Sequence, residues 1–304
     1  MMFEIYSRAG RVEQIPEETA VTVGVFDGVH LGHQALLTQL KAESEKRKAE
    51  SLVVTLTAHP SFVLGRRDSE YWLDDPEEHL RLLFNAGAKY VAVLPFTAEV
   101  AQLSACAMAR LLFEHLNMRA LLLGYDSRFG SKQGDDFDRL PLLASELGFS
   151  LHRGEPYQVE GSPISSSRIR ETLERGAVDE TSALLGRPFA VAGAVQHGRG
   201  VGHTLGFPTA NIDLSQTRKM LPKEGVYAVK LSTHVGMANL GAAPTFGIDQ
   251  PTLEVHLLDF QGDLYGQTVN VEFLHRLRDI EHFSTPEALQ QQLQKDLEQT
   301  RLWS

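Results

Sequence analysis
The chain carries one cysteine, Cys106, so no disulfide can close within it. Cys106 falls in an Ala-rich helical run, Ser104 to Phe113, where a small packed side chain is expected rather than a nucleophile. No apolar run approaches the length that spans a bilayer, and no basic segment followed by an apolar core opens the chain; the expected compartment is the cytoplasm, with no membrane partner. Positive charge is in deficit, with 29 Lys and Arg against 39 Asp and Glu and a net charge of −10. That excludes the broad basic face a nucleic-acid or membrane-surface binder needs. An anionic substrate must then be met by local positive sites. There are no internal repeats, no low-complexity linker and no G-x-x-x-x-G-K-[ST] loop. What remains is ordinary globular composition, 42% hydrophobic and 22% charged over 304 residues, enough for two domains.

The most informative stretch is Val23-Gly24-Val25-Phe26-Asp27-Gly28-Val29-His30-Leu31-Gly32-His33. Its apolar lead-in from Ala20 to Val25 predicts a buried parallel strand. Glycines then allow a tight turn, and Leu36, Leu37 and Leu40 continue at helical spacing. Strand, turn and helix start make an anion site, because unpaired N–H groups and the helix dipole meet there. His30 and His33 lie three residues apart on the first turn, which suits a polyphosphate. A metal pair would need a third ligand, and no neighbouring His or Cys cluster supplies one. Gly24, Phe26, Asp27 and Gly28 are candidate nucleotide-binding residues.

In chain order, residues 1 to 20 read as an edge strand and a Pro-bearing connection. Ser51 to Thr57 is a second strand running into Ala58-His59-Pro60, Tyr90 to Leu94 a third, and Ala120 to Leu123 a fourth. Helices are expected at Pro76 to Phe84 and Ser104 to Leu116. This alternation predicts a parallel sheet with right-handed crossovers. The fourth strand enters Gly124-Tyr125-Asp126-Ser127-Arg128-Phe129-Gly130, where Arg128 can pair with phosphate and Phe129 can stack on a flat ring. Further on, Ser165, Ser166 and Ser167 precede Arg168 at a helix start. One serine can be a cap; three hydroxyls and a guanidinium also describe a grip on a triphosphate.

A domain boundary falls between about Gly176 and Pro188, dividing the chain into 1–180 and 181–304. Beyond it, short strands alternate with Gly and Pro turns: Phe189 to Gln196, Gly225 to Leu231, Val235 to Leu240, Thr252 to Leu258 and Thr268 to Phe273. Their spacing predicts an antiparallel barrel or sandwich, followed by a helix from Pro286 to Leu302 that starts at a Ser-Thr-Pro-Glu cap. A Gly-rich segment containing Gly198, Gly200 and Gly202 closes on Pro208-Thr209-Ala210-Asn211. Its N–H groups suit phosphates, and Thr209 and Asn211 offer neutral oxygens suited to Mg²⁺. Glu254 and His256 share one strand face. A carboxylate inside a barrel is costly unless it accepts a proton from a hydroxyl nucleophile; the alternative is a solvated strand residue.

Taken together, G-V-F-D-G-V-H-L-G-H (24–33), L-G-Y-D-S-R-F-G (123–130), I-S-S-S-R-I-R (164–170), L-G-F-P-T-A-N-I (205–212), G-V-Y-A-V (225–229), L-E-V-H-L-L-D-F (253–260) and D-L-Y-G (263–266) resemble the prokaryotic bifunctional riboflavin kinase/FAD synthetases over nearly the whole chain. The resemblance implies an N-terminal Rossmann-like nucleotidyltransferase domain and a C-terminal flavokinase β-barrel with a terminal helix. It implies riboflavin, FMN and ATP as substrates and Mg²⁺ as cofactor. His30, His33 and Arg168 would be positive groups on the ATP phosphates, helped by Ser165 and Ser166, with Asp126 and Phe129 near the flavin. Thr209 and Asn211 would hold Mg²⁺ and phosphate, and Glu254 would be the catalytic base. Ala58, Ser127, His203 and Ala243 depart from the usual pattern. A chain with one active half, or a flavin-sensing regulator without turnover, are the competing expectations. A monomer or transient homo-oligomer is expected.

Overall fold
The structure, a computed structural model, describes residues 3–57, 72–125, 127, 129–131, 136–159, 161–198, 206–242 and 251–303. The chain divides into two compact units, 1–165 and 166–304.

In the first unit the strands are β1 (Glu4–Ser7), β2 (Gly10–Val12), β3 (Thr19–Val23), β4 (Glu50–Leu56), β5 (Tyr90–Leu94), β6 (Met118–Leu123) and β7 (Ser150–Arg153). They form one sheet in the order β2-β1-β5-β4-β3-β6-β7. β3 to β7 are parallel, as the strand–helix alternation requires. The sheet is mixed rather than wholly parallel, because β1 joins β5 and β2 antiparallel at one edge. β7 is an addition to the expected strands: Ser-Leu-His-Arg has no apolar run, and it is recruited by pairing with β6.

Both faces of the central strands are covered, which is why they read as continuous apolar runs. Val21, Leu52, Val54 and Leu121 share one core with helix Ala105–His115. Ala20, Val53, Val91 and Leu122 share the other with helix Leu31–Arg47 and helix Pro76–Asn85. The chain leaves β3 on one side, toward β4 and β5, and returns to its other side as β6. Such a reversal of strand order opens a crevice at the strands' carboxyl ends, where ligands settle. The loop following β3 begins there. Cys106 is half-buried with its thiol 3.5 Å from the Asp136 carbonyl. Burial and the bond to Asp136 push its pKa up, so it remains an unreactive thiol.

In the second unit, β10 (Phe189–Gln196), β11 (Ala210–Ile212), β12 (Gly225–Leu231), β13 (His234–Ala242), β14 (Pro251–Leu257) and β15 (Thr268–Arg278) close into a barrel in the order β10-β11-β14-β13-β12-β15; β8 (Gln158–Val159) and β9 (Ser162–Pro163) form a separate hairpin in the first unit. Register shifts in the long β15 let it serve both β10 and β12, since a bulge bends a strand round a barrel corner. Phe189, Tyr227 and Phe273 fill the interior, the last two edge to face at 5.2 Å. Helices Ser166–Arg175 and Val178–Leu185 group with this unit. The final helix, Pro286–Thr300, is tied to β15 by the buried Asp296, which accepts from Arg278 Nη2 at 2.7 Å and from Nε at 3.0 Å. Among the described residues no helix is long and apolar enough to cross a membrane.

Candidate active sites
The loop after β3 is built under strain. Phe26 and Val29 lie in the left-handed region at φ 53° and 36°, with Gly28 between them at 82°. That conformation is costly for a β-branched residue. It brings His30 to the cap of helix Leu31–Arg47, where His30 Nδ1 accepts from the His33 N–H at 3.3 Å. An imidazole thus does what Ser or Asp commonly does, and this places the proton of neutral His30 on Nε2. No acidic residue occupies the helix's first turn, so the positive end of its dipole is left to an anion. The His30 and His33 rings stack at 3.5 Å between centroids, and Phe26 meets His33 edge-on at 5.2 Å. Gly32 eases that stack: a Cβ there would stand a tight 3.1 Å from His30 Nδ1.

Burial first, then the charges of His30 and His79, hold the His33 imidazole well below its usual pKa. The expectation of two positive imidazoles is therefore corrected: unliganded His33 is neutral. Its Nδ1 is buried with no hydrogen-bond partner among the described residues. A buried, unpaired imidazole nitrogen at a helix start can take a proton when phosphate charge arrives.

Asp27, a candidate nucleotide contact, is buried and bonded within the protein. It is 1% exposed, and its Oδ1 accepts from the Leu73 N–H at 2.8 Å. Gly28 donates its N–H to Asp74 Oδ2 at 3.1 Å. Gly24 lies against the Phe26 ring, which is buried in the core. Phe129 is buried in the same core as Ala105 and Met108. Asp126, Arg128, Gly200, Gly202, Ala58, His59, Pro60, His203 and Ala243 lie outside the described residues. Ser165 ends the first unit, while Ser166 and Arg168 occupy the first turn of helix Ser166–Arg175 in the second.

In the barrel, β11 was not anticipated as a strand, being three residues long and preceded by Pro208. It inserts between β10 and β14, with Asn211 opposite Gln196 on one side and Glu254 on the other. Residues directly opposite share a face at about 5 Å, so Asn211 and Glu254 are neighbours. Thr209 Oγ1 donates to Glu254 Oε2 at 3.5 Å. Gly198 leaves room for the Asn211 amide; a Cβ there would lie 2.0 Å from Asn211 Nδ2. His256 Nδ1 donates to the Pro208 carbonyl at 2.8 Å, and Phe207 packs against its ring, fixing the turn.

Glu254 does not point into the barrel. Leu253 and Val255, each 1% exposed, take the interior, and Glu254 and His256 stay half-buried on the opposite face. A packed barrel interior accepts apolar side chains on alternate positions; a carboxylate outside it stays hydrated until substrate covers it. Beside Thr209 lies a pocket of about 160 Å³, lined by Pro208, Val255, Phe260, Leu264 and Tyr265. Tyr265 stacks on His197 at 3.9 Å. The hydroxyl of Thr209 and the amide oxygen of Asn211 are hard oxygen donors beside the Glu254 carboxylate, a set that fits a divalent cation carried with a nucleotide.

One unit offers helix N–H groups and imidazoles, the other a carboxylate next to neutral oxygens. This is the equipment of an enzyme that transfers phosphorus-containing groups. The family model described as FAD synthetase matches residues 12–168, and that described as riboflavin kinase matches 185–304. The bifunctional riboflavin kinase/FMN adenylyltransferase of Escherichia coli (strain K12) is 36% identical, covering 94% of this chain and 93% of its own. The protein of the same description from Listeria monocytogenes is 34% identical, covering 92% and 91%. A crystal structure titled macrolide-efflux protein, from Streptococcus pneumoniae, superposes with a TM-score of 0.87 at 32% identity, covering 95% and 96%. The chain belongs to the bifunctional riboflavin kinase/FMN adenylyltransferase family. It phosphorylates riboflavin to FMN and then joins FMN to an adenylyl group to give FAD. Such kinases and synthetases work on ATP, typically with a divalent metal.

Proposed function
We propose that residues 1–180 carry adenylyl transfer and residues 181–304 the kinase step. In the kinase half, Glu254 takes the proton of the riboflavin 5′-hydroxyl as that oxygen attacks the γ-phosphorus of ATP and ADP leaves. Thr209 and Asn211 would hold Mg²⁺, which when bound supplies charge neutralisation to the phosphates. Gly198, Gly200 and Gly202 offer backbone N–H groups to the same phosphates. The observation that carries this reading is the 3.5 Å approach of Thr209 Oγ1 to Glu254, with Asn211 directly opposite in register.

In the transferase half, the FMN phosphate is already anionic and needs no base. One of its oxygens attacks the α-phosphorus of a second ATP, and the bond to pyrophosphate breaks. His30 and His33 hold the phosphates in line and spread their charge; Ser165, Ser166 and Arg168 are phosphate-binding candidates at their own helix start. Asp126 and Arg128 serve the flavin and phosphate side of that site. The enzyme works in the cytoplasm as a monomer or transient homo-oligomer.

Measuring the two halves separately tests the assignment. Glu254→Gln should slow FMN formation from riboflavin by about 10²–10⁴-fold, with FAD formation from supplied FMN unchanged. Undiminished FMN formation by that variant rules out Glu254 as the base.

A further inference from the structure
Beneath the loop that carries His30 lies a buried polar chain that the reaction does not use. Thr55, on β4, donates its hydroxyl to the Val25 carbonyl at 3.1 Å. Thr55 Oγ1 is 3.0 Å from His79 Nε2, and His79 Nδ1 is 3.1 Å from Asp74 Oδ2. That same carboxylate oxygen accepts from the Gly28 N–H. Val25 and Gly28 bracket Phe26, which lies in the left-handed region at φ 53°, and Asp27, so both ends of that stretch are pinned by one chain of side chains. The clamp is reciprocal. Asp27 reaches across to the Leu73 N–H, while Asp74 reaches back to the Gly28 N–H.

Hydrogen-bond bookkeeping fixes the protons in this chain. The Val25 carbonyl can only accept, so it consumes the Thr55 hydroxyl proton. His79 Nε2 must then donate to Thr55 Oγ1. Its Nδ1 faces a carboxylate oxygen, and a contact of that length needs a proton between the two atoms. Asp74 is 2% exposed, and its second oxygen, Oδ1, is buried with no partner among the described residues. A half-satisfied buried carboxylate costs stability, which a purely structural brace would not require.

We propose that Asp74 and His79 are positioning residues for FMN adenylyltransfer, setting the loop through Gly28 and Val25 so that His30 and His33 meet the nucleotide phosphates. The proposal rests on the reading that this loop holds those phosphates. It is tested in the full chain by FAD formation from FMN at varied ATP, with riboflavin phosphorylation as the internal control. For Asp74→Ala, the KM for ATP should rise at least fivefold and kcat/KM should fall by about tenfold or more, as expected when a buried hydrogen bond to a charged group is lost. Asp74→Asn keeps an acceptor for Gly28 and should recover most of that loss, while phosphorylation stays within twofold for both variants.

A lower fraction of folded enzyme would reduce kcat with the KM for ATP unmoved; that outcome overturns the proposal, as does an Asn variant no better than Ala. If Asp74→Ala abolishes both activities, His79→Leu decides by the same KM criterion. His33→Ala separates the two layers of inference. An unmoved KM for ATP in His33→Ala removes the loop reading itself. A moved KM there, with Asp74→Ala unaffected, removes only the positioning role.

Discussion
Gly32→Ala sets helix formation against site geometry. Gly32 is the second residue of helix Leu31–Arg47, and replacing glycine by alanine within a helix favours it by about 1 kcal/mol. The new Cβ, however, would stand 3.1 Å from His30 Nδ1 and 3.2 Å from Cε1, a few tenths of an ångström inside ordinary contact. The His30 ring has little freedom to yield. It is 4% exposed, its Nδ1 is engaged by the His33 N–H, and the His33 ring stacks on it at 3.5 Å. Overpacking of this kind costs about 1–3 kcal/mol, so the two terms nearly offset and the melting temperature should move by no more than about 5 °C. Activity should respond far more. A displacement of about 1 Å in a catalytic group can cost about a hundredfold, so a shift of a few tenths should slow FAD formation by about tenfold. Both reactions would be followed chromatographically in the same preparation, with riboflavin phosphorylation unchanged. An FAD rate within twofold of the parent would refute the reasoning, since the His30 ring would then be free to move without consequence.

Three further outcomes follow. His33 is neutral in the unliganded protein because burial depresses its pKa, and phosphate should restore the proton; ATP binding to the adenylyltransferase half near pH 7 should then take up protons, read by calorimetry in buffers of differing ionisation enthalpy and absent in His33→Ala. Between the depressed folded pKa and the unfolded value near 6.5, the unfolded chain binds the proton first, so His33 lowers stability as pH falls through that window; His33→Ala should flatten this part of the stability profile. Asp296→Ala leaves Arg278 without its buried partner, which should cost about 3 kcal/mol in thermal unfolding.

Long-range elements announced themselves locally. The β-branched run before Gly24, the Pro-Glu start of helix Pro76–Asn85 and the Ser104 cap each state their own structure, and the structure follows them closely. What stayed hidden depends on partners distant in the chain. Ser150–Arg153 becomes a strand only because β6 offers an edge. Ala210–Ile212 is too short to show a period and is held by β10 and β14. The alternation of Leu253, Glu254 and Val255 revealed which residues share a face but not which face is interior. His33's charge depends on burial, and Thr55 meets Asp74 and His79 from a different segment of the chain. The Leu73 N–H on Asp27 and the apolar core around Phe129 are likewise contacts from distant segments.

The two compact units share one polypeptide, and this has an economic effect on the cell. Every translated copy delivers one kinase and one adenylyltransferase, so transcription cannot alter their ratio. The balance between FMN and FAD must be set by the turnover of each half and by how quickly other proteins withdraw either product.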